Sequence, residues 1–215
     1  MKLSKGKLAT LIIILVIVAD QVSKICVKTS FYYGEQIYIT EWFRLYFIEN
    51  NGMAYGMEIG SKLLLTLFRI VAVSLFVYYI AKICKLDTFK RGYIACLSLI
   101  TAGAIGNVID CVFYGFIFNN PPAPEVATFL SEGGGYAPLF YGRVVDMLYF
   151  PMVSWNWPEW VPFIGGDYYL FFSPIFNIAD ATLCVGVAIL ILFYTKSLAQ
   201  SLDSKKSEDS IEEVN

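Results

Sequence analysis

Four apolar runs, each of a length that crosses a lipid bilayer, constrain this 215-residue chain more than any other feature. A membrane-spanning helix needs about 20 mostly apolar residues, because its backbone polar groups must bond within the segment where no water is present. The runs occupy residues 8–26, 63–81, 93–113 and 175–194. They predict an α-helical membrane protein with a four-transmembrane-helix bundle, and the hydrophobic content of 57% agrees with this class.

The distribution of basic residues predicts the direction of these spans. Ten of the sixteen lysine and arginine residues lie in three places, namely the N-terminus, the connection between the second and third runs, and the C-terminal tail. Short loops rich in lysine and arginine stay on the cytoplasmic side of a membrane. Both termini are therefore expected in the cytoplasm, with segments 28–62 and 114–173 on the outer side.

The two outer segments differ in composition. Segment 28–62 alternates polar and apolar residues, which predicts short strands that end in a Gly-containing turn. Segment 114–173 contains two loop-forming stretches, "NNPPAPE" and "EGGGYAP", and a Trp- and Tyr-rich stretch at 149–172 that is expected on the outer leaflet. Residues 1–200 then form one integral membrane domain, followed by a charged, disordered cytoplasmic tail at 201–215.

The composition also excludes several classes of function. Histidine is absent, which excludes Ser-His-Asp and Cys-His nucleophile systems and most zinc sites. The five cysteines form no C-x-x-C motif and are interpreted as small packing residues. No basic face is visible for a nucleic acid, and the sequence predicts neither a metal nor a cofactor.

Several polar residues lie inside or beside the apolar runs, where an ionisable side chain costs about 2.5–3.5 kcal/mol to insert. Asp20 and Lys24 share a helix face at i,i+4 and form either part of a site or a structural salt bridge. Asn107 and Asp110 are i,i+3 and follow the small residues of "TAGAIG", which suits either a site or close helix packing. The stretch "ENNG" is either part of a site or a plain turn.

Two more carboxylates stand where an outer segment meets the membrane. They are Asp146 in "GRVVDM" and Asp180 in "FNIAD", which also holds Asn177 three residues earlier. Each acid alone is explained by a solvated carboxylate at the interface. Brought together at one low-dielectric site, the two cannot both ionise easily and would share a proton. One could then take a proton from water while the other donates one to a substrate, which is aspartic-protease chemistry.

The order of five motifs across residues 8–194 resembles the prolipoprotein signal peptidases, also called signal peptidase II. The motifs are "DQVSK", "NNGMAYG", "GAIGNVID", "VVDM" and "FNIAD". The resemblance implies an aspartic endopeptidase of the bacterial inner membrane, with a small periplasmic β-sheet and an active site near the periplasmic face. Its substrates would be diacylglyceryl prolipoproteins embedded in membrane lipid, cut before the lipidated cysteine. The resemblance also implies inhibition by the cyclic peptide globomycin.

The resemblance implies individual roles at eleven positions. Asp146 and Asp180 would form the catalytic dyad. Nine others would support the dyad or contact the substrate: Asp20, Lys24, Asn50, Gly52, Gly103, Asn107, Asp110, Asn177 and Ala179.

The chain departs from the family pattern in the third span and in the outer segments. The family usually has an arginine after the aspartate of the third span, where this chain has Cys111, and we hypothesise that Arg143 supplies that guanidinium beside Asp110. The tripeptide "FYG" occurs at 113–115 and again at 140–142, so the place of the insertion within 114–141 is ambiguous. A second insertion, 151–172, is predicted to form a lid over the substrate.

Two other classes of protein place polar residues within membranes. A small proton-coupled transporter would more often show inverted repeats and acids near the bilayer midplane, and neither is visible here. A non-enzymatic membrane scaffold would use the same polar residues only as contacts between helices. Both stay as alternatives to the peptidase.

Overall fold

Helices and short strands make up most of the part of the chain that the computed structural model describes, residues 3–51 and 61–201. A π-helical turn, Asp110–Tyr114, joins the third helix to the fourth. The helices are α1 (Lys5–Lys28), α2 (Lys62–Ile83), α3 (Arg91–Ile109), α4 (Gly115–Ile117), α5 (Ile178–Phe193) and α6 (Thr195–Ser201). The strands are β1 (Gln36–Tyr38), β2 (Arg44–Asn50), β3 (Val144–Tyr149), β4 (Val153–Asn156), β5 (Tyr168–Phe171) and β6 (Ile175–Phe176).

Within the described residues, three helical stretches are long and apolar enough to cross a membrane: α1, α2 and the continuous stretch Arg91–Ile117. Helices α5 and α6 pass the same test only together and are bent by 87°, so they form a fourth span if the pair crosses as one. The predicted class, a helical membrane protein with a small sheet, is confirmed. The last boundary differs from the prediction, because residues 175–176 pair with β3 as a strand before α5 begins.

Helix α3 lies at the centre and contacts α1, α2 and α5. Two glycines allow these close approaches. A Cβ atom at Gly103 would lie 2.3 Å from the Ala179 carbonyl oxygen, and one at Gly106 would lie 2.6 Å from Oδ2 of Asp20. Helix interfaces in membranes use small residues in this way, because backbones can then approach without a side chain between them.

Helix α2 packs on α3 by one side and exposes large apolar side chains on the other. Phe68, Leu75 and Tyr78 are each 63–69% exposed. An apolar face of this size on a spanning helix fits contact with lipid.

The outer segments supply an antiparallel sheet in the order β1-β2-β3-β6. The prediction of strands in segment 28–62 is confirmed by β1 and β2. Strand β3, which the sequence did not indicate, pairs with β2 so that Asn50 faces Val144 and Ile48 faces Asp146. This strand ties the second outer segment to the first.

Backbone hydrogen bonds join the two ends of the first insertion. Gly142 donates its N–H to the Cys111 carbonyl at 2.9 Å, and Phe140 donates its N–H to the Val112 carbonyl at 2.9 Å. The two copies of "FYG" therefore lie side by side and enclose residues 116–139, a stretch that begins in α4 and continues as a loop. Within that loop the structure has turns and isolated bridges, as its breaker-rich composition predicts.

The second insertion forms a hairpin of its own. Strands β4 and β5 pair antiparallel in a separate two-stranded sheet. Trp160 is 80% exposed and Phe163 is fully exposed in the turn between them. The location of this hairpin on the outer leaflet and its role as a lid stay predictions.

Candidate active site

Asp146 lies in β3 and is almost wholly buried, with 1% of its surface exposed. Two amide side chains donate to its carboxylate. Nδ2 of Asn177 bonds Oδ1 at 2.7 Å, and Nδ2 of Asn50 bonds Oδ2. Asn50 reaches this position because it ends β2, which pairs with β3. The sheet thus joins two residues that are 96 positions apart in the chain.

Asp180 lies in the first turn of α5, and Asn177 is the residue that caps this helix. The Asn177 side chain accepts from the N–H of Asp180 at 2.9 Å, and Oδ2 of Asp180 accepts from the N–H of Asn177 at 3.4 Å. This reciprocal arrangement is a capping box, and a carboxylate there is favoured by the positive end of the helix dipole. Nδ2 of Asn107 in α3 donates to Oδ1 of Asp180 at 2.7 Å.

Asn177 connects the two carboxyl groups, because it bonds Asp146 by its side chain and Asp180 by its backbone. The two acids are therefore close enough for the charge of Asp180 to act on Asp146. Burial, followed by the negative charge of Asp180, raises the pKa of Asp146 to about 8. The raised pKa favours the protonated form of Asp146 at neutral pH.

A fully buried charge triad, Asp20–Lys24–Asp110, lies behind these acids. Nζ of Lys24 is 2.9 Å from Oδ2 of Asp20 and 2.8 Å from Oδ2 of Asp110, and all three side chains are inaccessible to solvent. Charges this deep persist only when they are paired and hydrogen-bonded. The i,i+4 spacing of Asp20 and Lys24 on α1 and the central position of α3 bring the three groups together.

Each acid of the triad also accepts from the backbone N–H of the residue before one of the two candidate catalytic aspartates. Asp20 accepts from the N–H of Ala179 at 2.9 Å, and Asp110 accepts from the N–H of Val145 at 3.2 Å. Ala179 precedes Asp180 and Val145 precedes Asp146. The triad therefore positions both aspartates through their own backbone.

Two amide side chains complete the network. Oδ1 of Asn107 accepts from Lys24 at 3.0 Å and from Asn177 at 3.1 Å, so Asn107 links the triad to the dyad. Nε2 of Gln21 lies 3.1 Å from Oδ2 of Asp20 and 3.0 Å from Oδ1 of Asp110. Gln21 was missed at the sequence level, although it stands inside the "DQVSK" motif. Among residues 3–51 and 61–201, no group of three or more acids and cysteines could hold a metal ion.

Comparison with known proteins decides the family. The family model for signal peptidase (SPase) II matches residues 12–196, most of the chain.

This chain belongs to the signal peptidase II family.

A lipoprotein signal peptidase of Porphyromonas gingivalis is 44% identical over 206 residues, which cover 96% of this chain and 91% of the relative. One from Amoebophilus asiaticus is 36% identical over 204 residues, covering 92% of this chain and 82% of the relative. A solved bacterial membrane enzyme shares the fold, with a TM-score of 0.59 at 24% identity, over 89% of this chain and 90% of that one. The family resemblance drawn from the motifs is confirmed.

The sequence predicts that Arg143 lies beside Asp110 and replaces the guanidinium that this signal peptidase II chain lacks there. This hypothesis is wrong. Nη1 of Arg143 donates to Oε2 of Glu49 at 3.3 Å instead. The physical reason is that Lys24 already pairs with Asp110, while Arg143 precedes β3 on the side where Glu49 of β2 lies.

Cys111, which stands where the family usually has arginine, has cationic neighbours of its own. Its sulfur lies 3.3 Å from Nη1 of Arg69 and 3.7 Å from Nζ of Lys62. Both cations come from α2, so their contact with Cys111 was not visible from spacing along the chain.

Two of the predicted site residues are glycines. Gly52 lies outside the described residues, whereas Gly103 packs on the Ala179 carbonyl as stated above.

Proposed function

We propose that this chain removes the signal peptide of diacylglyceryl prolipoproteins, cutting before the lipidated cysteine, with Asp146 and Asp180 as an aspartic dyad. Membership of the signal peptidase II family makes the chain a peptidase and supports this class of substrate. The observation that carries the aspartic mechanism is the convergence of Asp146 and Asp180 on Asn177.

In the proposed mechanism a water molecule binds between the two carboxyl groups. Asp180, whose carboxylate is favoured by the N-terminus of α5, takes a proton from this water. The hydroxide attacks the scissile carbonyl carbon, and the protonated Asp146 donates its proton to the carbonyl oxygen. The amide nitrogen then leaves with the proton held by Asp180, and the carbonyl re-forms as its proton returns to Asp146. No metal or cofactor takes part in these steps.

The depth of the site suits a substrate anchored in lipid. Asp20 lies eight residues before the end of α1, which places it about 12 Å from that end at 1.5 Å per residue. Asp180 lies in the first turn of α5, next to the sheet. The proposed dyad therefore lies where the helices meet the four-stranded sheet, which supports a position near the periplasmic face of the bacterial inner membrane. Peptide and acyl chains could reach it there without leaving the bilayer.

The test is cleavage of a diacylglyceryl prolipoprotein peptide by the purified protein in detergent or nanodiscs. We expect cleavage before the lipidated cysteine by wild type, and a loss of about 10³-fold or more in Asp146→Asn and in Asp180→Asn. Asp87→Asn is the matched control, because this carboxylate is fully exposed in the connection between α2 and α3. The proposal is refuted if wild type does not cleave or if either dyad variant keeps full activity.

A further inference from the structure

A second group of charges lies beside the site and has no part in the proposed mechanism; two of its members are buried, and Arg143 is 36% exposed. We call it the Glu49 cluster: Lys28, Glu49, Tyr136 and Arg143. The side chains of Lys28 and Glu49 are each 1% exposed. Nζ of Lys28 donates to Oε1 of Glu49, and Nη1 of Arg143 donates to Oε2 at 3.3 Å. Both carboxylate oxygens of Glu49 are thus bonded to cations.

The first insertion supplies the aromatic part of this cluster. Nζ of Lys28 lies 5.3 Å from the ring centres of both Phe118 and Tyr136, and Cζ of Arg143 lies 4.8 Å from that of Tyr136. The Tyr136 hydroxyl accepts from the backbone N–H of Arg143 at 2.7 Å. Cations over aromatic rings are attracted by the ring quadrupole, more strongly when water is excluded. The insertion therefore holds both cations in place.

The cluster adjoins the dyad through the backbone. Glu49 is followed by Asn50, whose Nδ2 donates to Asp146. Arg143 is followed by β3, which carries Asp146. Glu49 and Asn50 are register partners of Val145 and Val144. The cluster thus joins β2 to β3 at the point where Asn50 meets Asp146, although its side chains form none of the hydrogen bonds to the dyad described above.

Buried ion pairs seldom stabilise a protein more than apolar residues of similar size would, but they can specify one geometry. Lys28 continues the stripe of Asp20 and Lys24 on α1 by one more turn, so one helix face supports both the triad and this cluster. On the basis of the proposed function, we infer that Glu49 is a positioning residue. Together with Lys28, Arg143 and Tyr136, it holds the Asn50 side chain where it bonds Asp146. The 116–139 insertion supplies Tyr136 and is thereby coupled to catalysis.

A double-mutant cycle on cleavage kinetics tests this inference. Glu49→Gln should lower kcat roughly 10–100-fold with little change in KM, since misplacement of a supporting group acts on the chemical step. Asn50→Ala should lower kcat as well. Because Glu49 acts through Asn50, adding Glu49→Gln to Asn50→Ala should lower kcat by no more than about twofold further. If the two losses instead multiply, Glu49 does not act through Asn50 and the inference is overturned.

Two further variants keep the test decisive. Glu41→Gln makes the same chemical change at an exposed carboxylate between β1 and β2, and it should leave kcat and KM unchanged. Tyr136→Phe keeps the ring and loses only the hydroxyl that accepts from Arg143. It should lower kcat about threefold to tenfold. Wild-type kcat in Tyr136→Phe would overturn the role of the insertion even if Glu49→Gln does not fold. Failure of the proposed function itself would show separately, as a wild-type protein that does not cleave.

Discussion

At the scale of single residues, the site is organised by carboxylates that are not themselves proposed to react. Asp20 and Asp110 hold the backbone before each dyad aspartate, and Lys24 neutralises part of their combined charge. Asn107 and Asn177 extend this network by donating from their amide side chains to Asp180 and Asp146. Burying three charges is costly, and the hydrogen bonds of the triad help to fix the geometry of the proposed dyad.

Removal of the central cation should destabilise the protein strongly. Lys24→Met would leave Asp20 and Asp110 buried together without a positive charge, at an expected cost of about 3–5 kcal/mol in the free energy of unfolding. Thermal unfolding in detergent measures this cost. Lys85→Met, at an exposed lysine, is the control and should stay near wild type. An equal Tm for Lys24→Met and wild type would contradict the triad's structural role.

The raised pKa of Asp146 predicts how stability depends on pH. In the folded protein this carboxyl keeps its proton up to about pH 8, whereas its ordinary pKa is 3.8. The folded state therefore binds more protons than the unfolded state between about pH 4 and pH 8, and the free energy of unfolding falls as pH rises through that window.

We expect the Tm of wild type to decrease from pH 5 to pH 9, and the decrease to be smaller in Asp146→Asn, which cannot ionise. Cleavage by wild type should also fall above about pH 8, where the proton on Asp146 is lost. Asp87→Asn should keep the wild-type slope of Tm against pH. Identical slopes in Asp146→Asn and wild type would contradict the assigned protonation.

At the scale of elements, the contact of α3 with α5 decides whether the site forms. Gly103 lies against the carbonyl of Ala179 in the first turn of α5, next to Asp180. Asp110 opens the π-helical turn that ends α3, a geometry that recurs at functional sites. The insertion or deletion of one residue in either element would move a polar side chain away from its partner.

Gly103→Ala should therefore reduce both stability and activity. Its Cβ would lie 2.3 Å from the Ala179 oxygen, so α5 must shift, and such overpacking costs about 1–3 kcal/mol. The Tm and kcat of the purified variant measure the two effects. Gly6→Ala is the matched control, because Gly6 also lies in a helix and nothing lies within 4 Å of its added Cβ. A Gly103→Ala variant that behaves like Gly6→Ala would show that α5 can yield without moving Asp180.

At the scale of the whole molecule, the candidate site is the junction between the apolar helices and the four-stranded sheet. Helices α1, α3 and α5 supply Lys24, Asn107 and Asp180, and the sheet supplies Asn50 and Asp146. The 151–172 hairpin forms a two-stranded sheet of its own. Its exposed aromatic residues suit the membrane–water boundary, as the sequence predicts.

Removal of this hairpin tests its predicted role as a lid. Tyr149 and Ile175 are register partners in β3 and β6, so a short turn can rejoin the chain once the hairpin is deleted. We expect a rise in KM of about tenfold for the lipidated substrate, equal to about 1.4 kcal/mol of binding, with Tm preserved. Steady-state kinetics measure the change. Unchanged KM and kcat in a folded variant would remove the lid prediction.

The sequence alone determined the membrane class, the family and the two acids of the proposed dyad. Each of these depends on local information: runs of about 20 apolar residues, motif order, and acids placed where burial is costly. It also indicated that Asp20 and Lys24 share one helix face, because the period of the helix is known in advance. The strands of the first outer segment followed from alternation in the same way.

Only the tertiary structure decided which side chains meet. Arg143 was expected beside Asp110 and instead bonds Glu49, because the pairing of β2 with β3 sets the direction in which residues before β3 can reach. The contact of Asn50 with Asp146 spans 96 residues, and that of Asp20 with Ala179 spans 159. Contacts at such separations depend on strand register and helix packing, which periodicity along one chain does not contain.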